Sequence, residues 1–113
     1  MDCIFCEIVN GEIKSNKVYE NDNIIAFKDL NPVAPVHILF IPKRHICSLN
    51  DINSEDSSVI SEIFSSILKV VKDLGIEGNG YRIINNCGKD GGQTVNHLHF
   101  HLIAGKKLGW PDI

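Results

Sequence analysis

Residues 97 to 103 read His-Leu-His-Phe-His-Leu-Ile, and this strict alternation of imidazole with apolar side chain fits one regular conformation. Successive side chains of a strand point to opposite faces, so His97, His99 and His101 share one face and Leu98, Phe100 and Leu102 the other. A helix would scatter both sets around its circumference. The chain is therefore expected to build a sheet that buries the Leu-Phe-Leu side and presents a row of three imidazoles on its other face.

The remaining pattern supplies such a sheet. Lys17 to Glu20 and Ile24 to Lys28 are short β-prone runs joined by Asn21-Asp22-Asn23, residues that suit a tight reversal. His37 to Ile41 is almost wholly apolar, as a central strand covered on both faces would be, and Pro42 is expected to end its pairing. Tyr81 to Asn85 and Val95 to Ile103 read as two further strands. From Ser54 to Leu74, Ile60, Ile63, Ile67, Val71 and Leu74 recur at helical spacing with Phe64 beside them. Lys69 and Lys72 suit the helix C-terminus there, and Gly75 suits the left-handed residue that follows. A short helix over Cys3 to Val9, capped by Asp2 and apolar at Ile4, Phe5 and Ile8, places Cys3 and Cys6 one turn apart on one face. The reading is a single α+β domain over residues 1–113: an antiparallel sheet of about five strands, one short N-terminal helix and one long helix. The tail from Lys106 to Ile113 is irregular, with Trp110-Pro111 near its end.

Charge and composition narrow the partners. A net charge of -3 gives no broad attraction to phosphate polymers, so a nucleic-acid polymer is not expected as a partner. No run of ~18 apolar residues spans a membrane, and the start Met-Asp-Cys-Ile-Phe-Cys lacks the pattern of an export signal. A cytoplasmic protein with reduced thiols is expected, although four cysteines are present.

Three imidazoles in register have three readings: a polar strand face, a zinc site of the His-x-His kind, or a nucleophile flanked by proton donors. The upstream loop Gly88-Lys89-Asp90-Gly91-Gly92-Gln93-Thr94 favours the last. Backbone N–H groups in glycine-rich turns form concavities that hold phosphate oxygens, and neutral imidazole is a fair nucleophile toward phosphorus at pH 7.

At this point the chain resembles the histidine-triad family, whose signature His-φ-His-φ-His-φ-φ is met at every position from 97 to 103. Further segments carry the likeness: Cys-Ile-Phe-Cys, Ala26-Phe27-Lys28-Asp29, Pro35-Val36-His37, Ile41-Pro42-Lys43-Arg44-His45, Asp90-Gly91-Gly92-Gln93-Thr94 and Gly109-Trp110-Pro111. The resemblance is greatest to the Hint branch of purine-nucleoside phosphoramidases. It implies a histidine-triad fold, with His99 as the residue that becomes nucleotidylated, and with His101 and the backbone of Gly92, Gln93 and Thr94 around the α-phosphate. It also implies Asp29 on the ribose with Leu30 beside it, and Ile4, Phe5, Ile8, Ile13 and Phe27 around a purine base. Asn86 and Thr94 fall near the leaving group, Thr94 where serine is more usual, and His37 falls in a buried relay to the active site. Lys14 and Asn96 depart from the pattern, standing where relatives often carry proline and an aromatic residue. The expected substrate is a purine nucleoside 5′-phosphoramidate. A dinucleoside polyphosphate, or a non-catalytic nucleotide-binding module, is the alternative. A homodimer with Trp110 as an anchor of the tail is a further implication.

Cys3 and Cys6 have the spacing of a structural zinc site, with plain thiols or a redox pair as other readings. The resemblance implies that His45 and His97 complete the zinc site. No organic cofactor is expected, and Cys47 and Cys87 receive no role.

Overall fold

The computed structural model describes residues 3–110. Its elements run α1 (Ile4–Val9), β1 (Lys17–Glu20), β2 (Ile24–Lys28), β3 (Val36–Pro42), α2 (Ser57–Leu74), β4 (Arg82–Ile84) and β5 (Phe100–Ala104), with 3-10 turns at Leu49–Asp51 and Ser54–Asp56 ahead of α2. The strands form one five-stranded sheet in the order β1-β2-β3-β5-β4, every neighbouring pair antiparallel. The expected fold class is met: an α+β arrangement of one sheet, one short N-terminal helix and one long helix.

Alternation along the strands divides the interior in two. Ile24, Ala26, Ile38, Phe40, Phe100 and Leu102 face α2 and pack with Ile63, Ile67, Val70 and Val71. Ile25, Phe27, Leu39 and Ile41 face the other way and meet Cys3, Phe5 and Ile8 of the N-terminal segment. Phe40 is fully buried in the central strand β3, with Ala26 opposite on β2 and Phe100 opposite on β5.

Three expectations shift. The predicted face of α2 moves: Ile63, Ser66, Ile67, Val70 and Val71 are buried, whereas Phe64, Leu68 and Leu74 are exposed. Ser66 fits this apolar seam because its hydroxyl donates to the Glu62 carbonyl at 2.8 Å. The triad strand is shorter than its alternation, since pairing begins at Phe100, opposite Phe40, and residues 95–99 stay outside the ladder although β3 continues to Pro42 beside β2. The face assignment survives this, because Leu98 is buried in the α2 core while His97 and His99 sit against Phe5 on the α1 side. Pro42 is the last residue of β3, still in register with Ile24, and does not end the strand one residue earlier. Helix α1 is capped by Cys3, whose Sγ accepts from the Cys6 N–H at 3.3 Å. The predicted cap Asp2 and the predicted Pro111 lie outside the described residues.

Candidate active site

Strand geometry first brings His37 and His101 together. His101 lies opposite Leu39, and His37 lies two residues away on the same face of β3, a diagonal cross-strand pair. The His37 Nε2 to His101 Nδ1 distance is 2.8 Å. The Val33 N–H donates to His37 Nδ1 at 3.1 Å, so that nitrogen accepts and Nε2 carries the ring proton. His37 then donates to His101 Nδ1, which leaves the His101 proton on Nε2 as a free donor. The Asp29 carboxylate stands 3.4 Å from His37 Nε2, held by an Asx turn in which its Oδ1 accepts from the Asn31 N–H.

His99 is fixed from the other side. Its Nδ1 lies 2.7 Å from the His97 carbonyl, and a carbonyl can only accept, so the proton is on Nδ1 and the lone pair on Nε2. The Asn85 amide donates to the His99 carbonyl at 3.0 Å and Phe5 packs edge-on against its ring. Burial, followed by the charges of His99 and His37, pushes His101 down to about 4. At neutral pH His101 is therefore an uncharged donor.

Both rings open into a cavity of about 230 Å³. Among the sequence-predicted residues, Ile4, Phe5, Ile8, Ile13, Phe27, Asp29, Leu30, Thr94, His99 and His101 line it. Leu30 and Ile4 are largely solvent-exposed lining residues of this open wall. His37 reaches the cavity through His101, and Asn86, Gly92 and Gln93 are not on its wall.

Asn86, Gly92 and Gln93 instead shape the turn that carries Thr94. Gly92 adopts a positive φ of 82°, and its N–H and that of Gln93 donate back to Lys89 and Gly88 within the turn. At Gly91 a Cβ would stand 2.3 Å from the Cys87 carbonyl, so only glycine fits. Asn86 donates to the Gly91 carbonyl at 2.7 Å. The Gln93 amide makes three bonds: Nε2 to the carbonyls of Cys47 and Val95, and Oε1 from the Gly88 N–H. Among the described residues, the N–H groups of Thr94 and Val95, both on the cavity wall, have no protein acceptor. Ser15, Lys28, Asn31, Leu39 and Val95 also line the cavity and were not picked out by sequence, and so does Lys14, which sequence marked only as a departure from the family pattern.

On the opposite side of His97, the ligand atoms of Cys3, Cys6, His45 and His97 all lie within 4.8 Å of one another. His97 Nδ1 is 3.4 Å from Cys3 Sγ and 3.6 Å from Cys6 Sγ, and His45 Nδ1 is 3.2 Å from Cys6 Sγ. A tetrahedral zinc with Zn–S of ~2.3 Å and Zn–N of ~2.05 Å requires S···N edges of about 3.5 Å, so the donor set fits that ion. His97 Nε2 donates to the Pro42 carbonyl at 2.8 Å, which leaves Nδ1 as the ligating nitrogen. Burial, aided by the Cys3 thiol, pushes Cys6 up to about 11, so a metal that takes it as thiolate displaces a proton.

Comparison with known proteins identifies the family. Residues 2–109 match the family model described as "Scavenger mRNA decapping enzyme C-term binding". A Chlamydia muridarum protein named as an uncharacterized HIT-like protein is 49% identical over 109 residues, covering 96% of this chain and 86% of its own. A histidine triad protein from Clostridium difficile superposes with a TM-score of 0.94 at 58% identity, covering 96% of this chain and 95% of its own. A HIT family hydrolase from Legionella pneumophila superposes with a TM-score of 0.95 at 43% identity, covering 97% and 98%. The chain belongs to the histidine-triad family.

Proposed function

We propose that the protein is a nucleotide hydrolase that cleaves the phosphorus–nitrogen bond of purine nucleoside 5′-phosphoramidates. The observation that carries this reading is the pair of fixed tautomers on the cavity wall: a lone pair on His99 Nε2 and a proton on His101 Nε2. In the first step His99 Nε2 attacks the α-phosphorus, a P–N(His) bond forms, and the substrate P–N bond breaks. The amine leaves after taking a proton from solvent, with the His101 Nε2–H hydrogen-bonded to the reacting group, and the water of the second step returns a proton to solvent. In the second step water attacks the nucleotidyl-His99 adduct, releasing nucleoside monophosphate and restoring the imidazole. Thr94 and the N–H groups of Thr94 and Val95 meet the nonbridging oxygens, where charge grows in the transition state. Asp29 receives the ribose hydroxyls, and Phe5, Ile8, Ile13 and Phe27 enclose the base. Asn86 and Gln93 act by holding the turn, and His37 by holding His101.

The second site is assigned to structural zinc, held by Cys3, Cys6, His45 and His97. When bound, the ion cross-links α1, the loop after β3 and the approach to β5. The exposed Phe64, Leu68 and Leu74 on α2 support a homodimer through that helix, with Trp110 as an anchor of the tail. A monomeric mass by light scattering would remove the dimer from the proposal.

The test is release of adenosine monophosphate from adenosine 5′-phosphoramidate and, in parallel, from a diadenosine polyphosphate. His99→Ala is expected to lower phosphoramidase turnover at least about a thousandfold while leaving the unfolding midpoint within a few degrees. Wild-type turnover in that variant would refute the nucleophile. Preference for the dinucleotide would assign the protein to the polyphosphate-hydrolysing reading. Monophosphate binding with no release from either would leave a nucleotide-binding module.

A further inference from the structure

We propose that Lys14 makes this site prefer 6-oxopurine nucleotides, guanosine and inosine, over adenosine nucleotides, by meeting the acceptor edge of the base at the outer end of the cavity. The proposal rests on the nucleotide-hydrolase reading above.

The cavity has two distinguishable ends. One holds His99, His101 and Thr94. The other is shared with a second hollow outside it, whose wall includes Ile8, Ile13, Lys14, Ser15 and Leu30 and no histidine. A nucleotide with its phosphorus at His99 and its ribose at Asp29 sends its base toward this second end, because base and 5′-phosphate are attached at opposite sides of the sugar.

Apolar walls at that end hold any purine by its faces, which are alike in adenine and guanine, so discrimination falls to the base edge. Lysine offers three donors and no acceptor. The N7 and O6 atoms of a 6-oxopurine are both acceptors, whereas adenine pairs the N7 acceptor with an N6 amino donor that an ammonium repels. Ser15, both donor and acceptor, serves either base.

Lys14 is also uncommitted. Among the described residues it joins no ion pair and no side-chain hydrogen bond, while Lys17 and Lys43 are both taken by Glu20. Lys28, the other ammonium on the cavity wall, adjoins Asp29 in the chain and so belongs to the sugar end, which every nucleotide shares.

The experiment is calorimetric titration of the full chain with AMP, IMP and GMP, for wild type and for Lys14→Met, which keeps an apolar stem and removes the charge. GMP and IMP are expected to bind wild type about fivefold tighter than AMP, with all three within about twofold in Lys14→Met. IMP separates the edges, since it carries O6 and N7 without the 2-amino group. If IMP behaves like AMP, the preference belongs to the 2-amino group and the proposal is overturned. An equal loss for all three in Lys14→Met reports general attraction to phosphate and overturns it too. Equal wild-type affinities refute this inference alone when the phosphoramidate is still cleaved. Absence of both binding and cleavage refutes the nucleotide reading and this inference together.

Discussion

At the scale of single residues, Gln93 has a side chain whose work the family resemblance, which called only on its backbone, leaves open. Its amide spends both donors and its acceptor on the Cys47, Val95 and Gly88 backbone, so it fastens the turn before the triad to the loop that carries His45. Gln93→Ala removes three bonds and strands two carbonyls beside water. Stability is expected to fall by about 1–2 kcal/mol, and phosphoramidase kcat about tenfold or more, because Thr94 no longer meets the phosphate in one position. Denaturant melts and steady-state kinetics check both, and an unchanged kcat would confine Gln93 to stability. The glutamine was legible as important from its place after two glycines, but its partners were not. They come from residue 47, which no local pattern couples to residue 93.

At the scale of elements, what could be read depended on whether a signal was local. The β1-β2 hairpin, the burial of β3 and the two faces of the triad segment follow from alternation and turn residues, and all are met. Where the triad strand begins was not legible, because pairing stops where β3 leaves β5 and continues beside β2, a property of the sheet. The face of α2 was misplaced at its far end for a similar reason, since Leu74 passes beyond what the sheet covers. The cavity wall around Lys14 and Ser15 left no sequence signal, because loop residues carry no periodicity. For α1, six residues are too few to hold together alone. Its attachment rests on Phe5, Ile8 and the two cysteines. Chelation of the metal-loaded protein is therefore expected to lower the unfolding midpoint by about 10 °C or more, and the Cys3→Ser variant to be indifferent to chelator. Calorimetric scans with and without chelator decide this, and identical midpoints would rule out a structural metal.

For the whole molecule, the buried imidazoles set a direction for pH dependence. His101 is pushed down to about 4 from an ordinary 6.5 by burial and by its histidine neighbours. The unfolded chain thus binds a proton that the folded one refuses between these values, and stability rises with pH across that window. Taken from pH 7 to pH 4, the wild type is expected to lose on the order of 2 kcal/mol more than His101→Gln, which has no titrating group at that position. Urea titrations at the two pH values measure the difference, and equal losses would show that His101 does not oppose protonation. His97 touches both the cysteine cluster and the neighbouring imidazole. Its ring joins the thiols to the end of β3, and its carbonyl sets the tautomer of His99. A change that tilts that one residue is expected to loosen the N-terminal helix and to turn the His99 ring together. Damage to the anchor is therefore expected to register at the neighbouring imidazole as well as in the attachment of the N-terminal end.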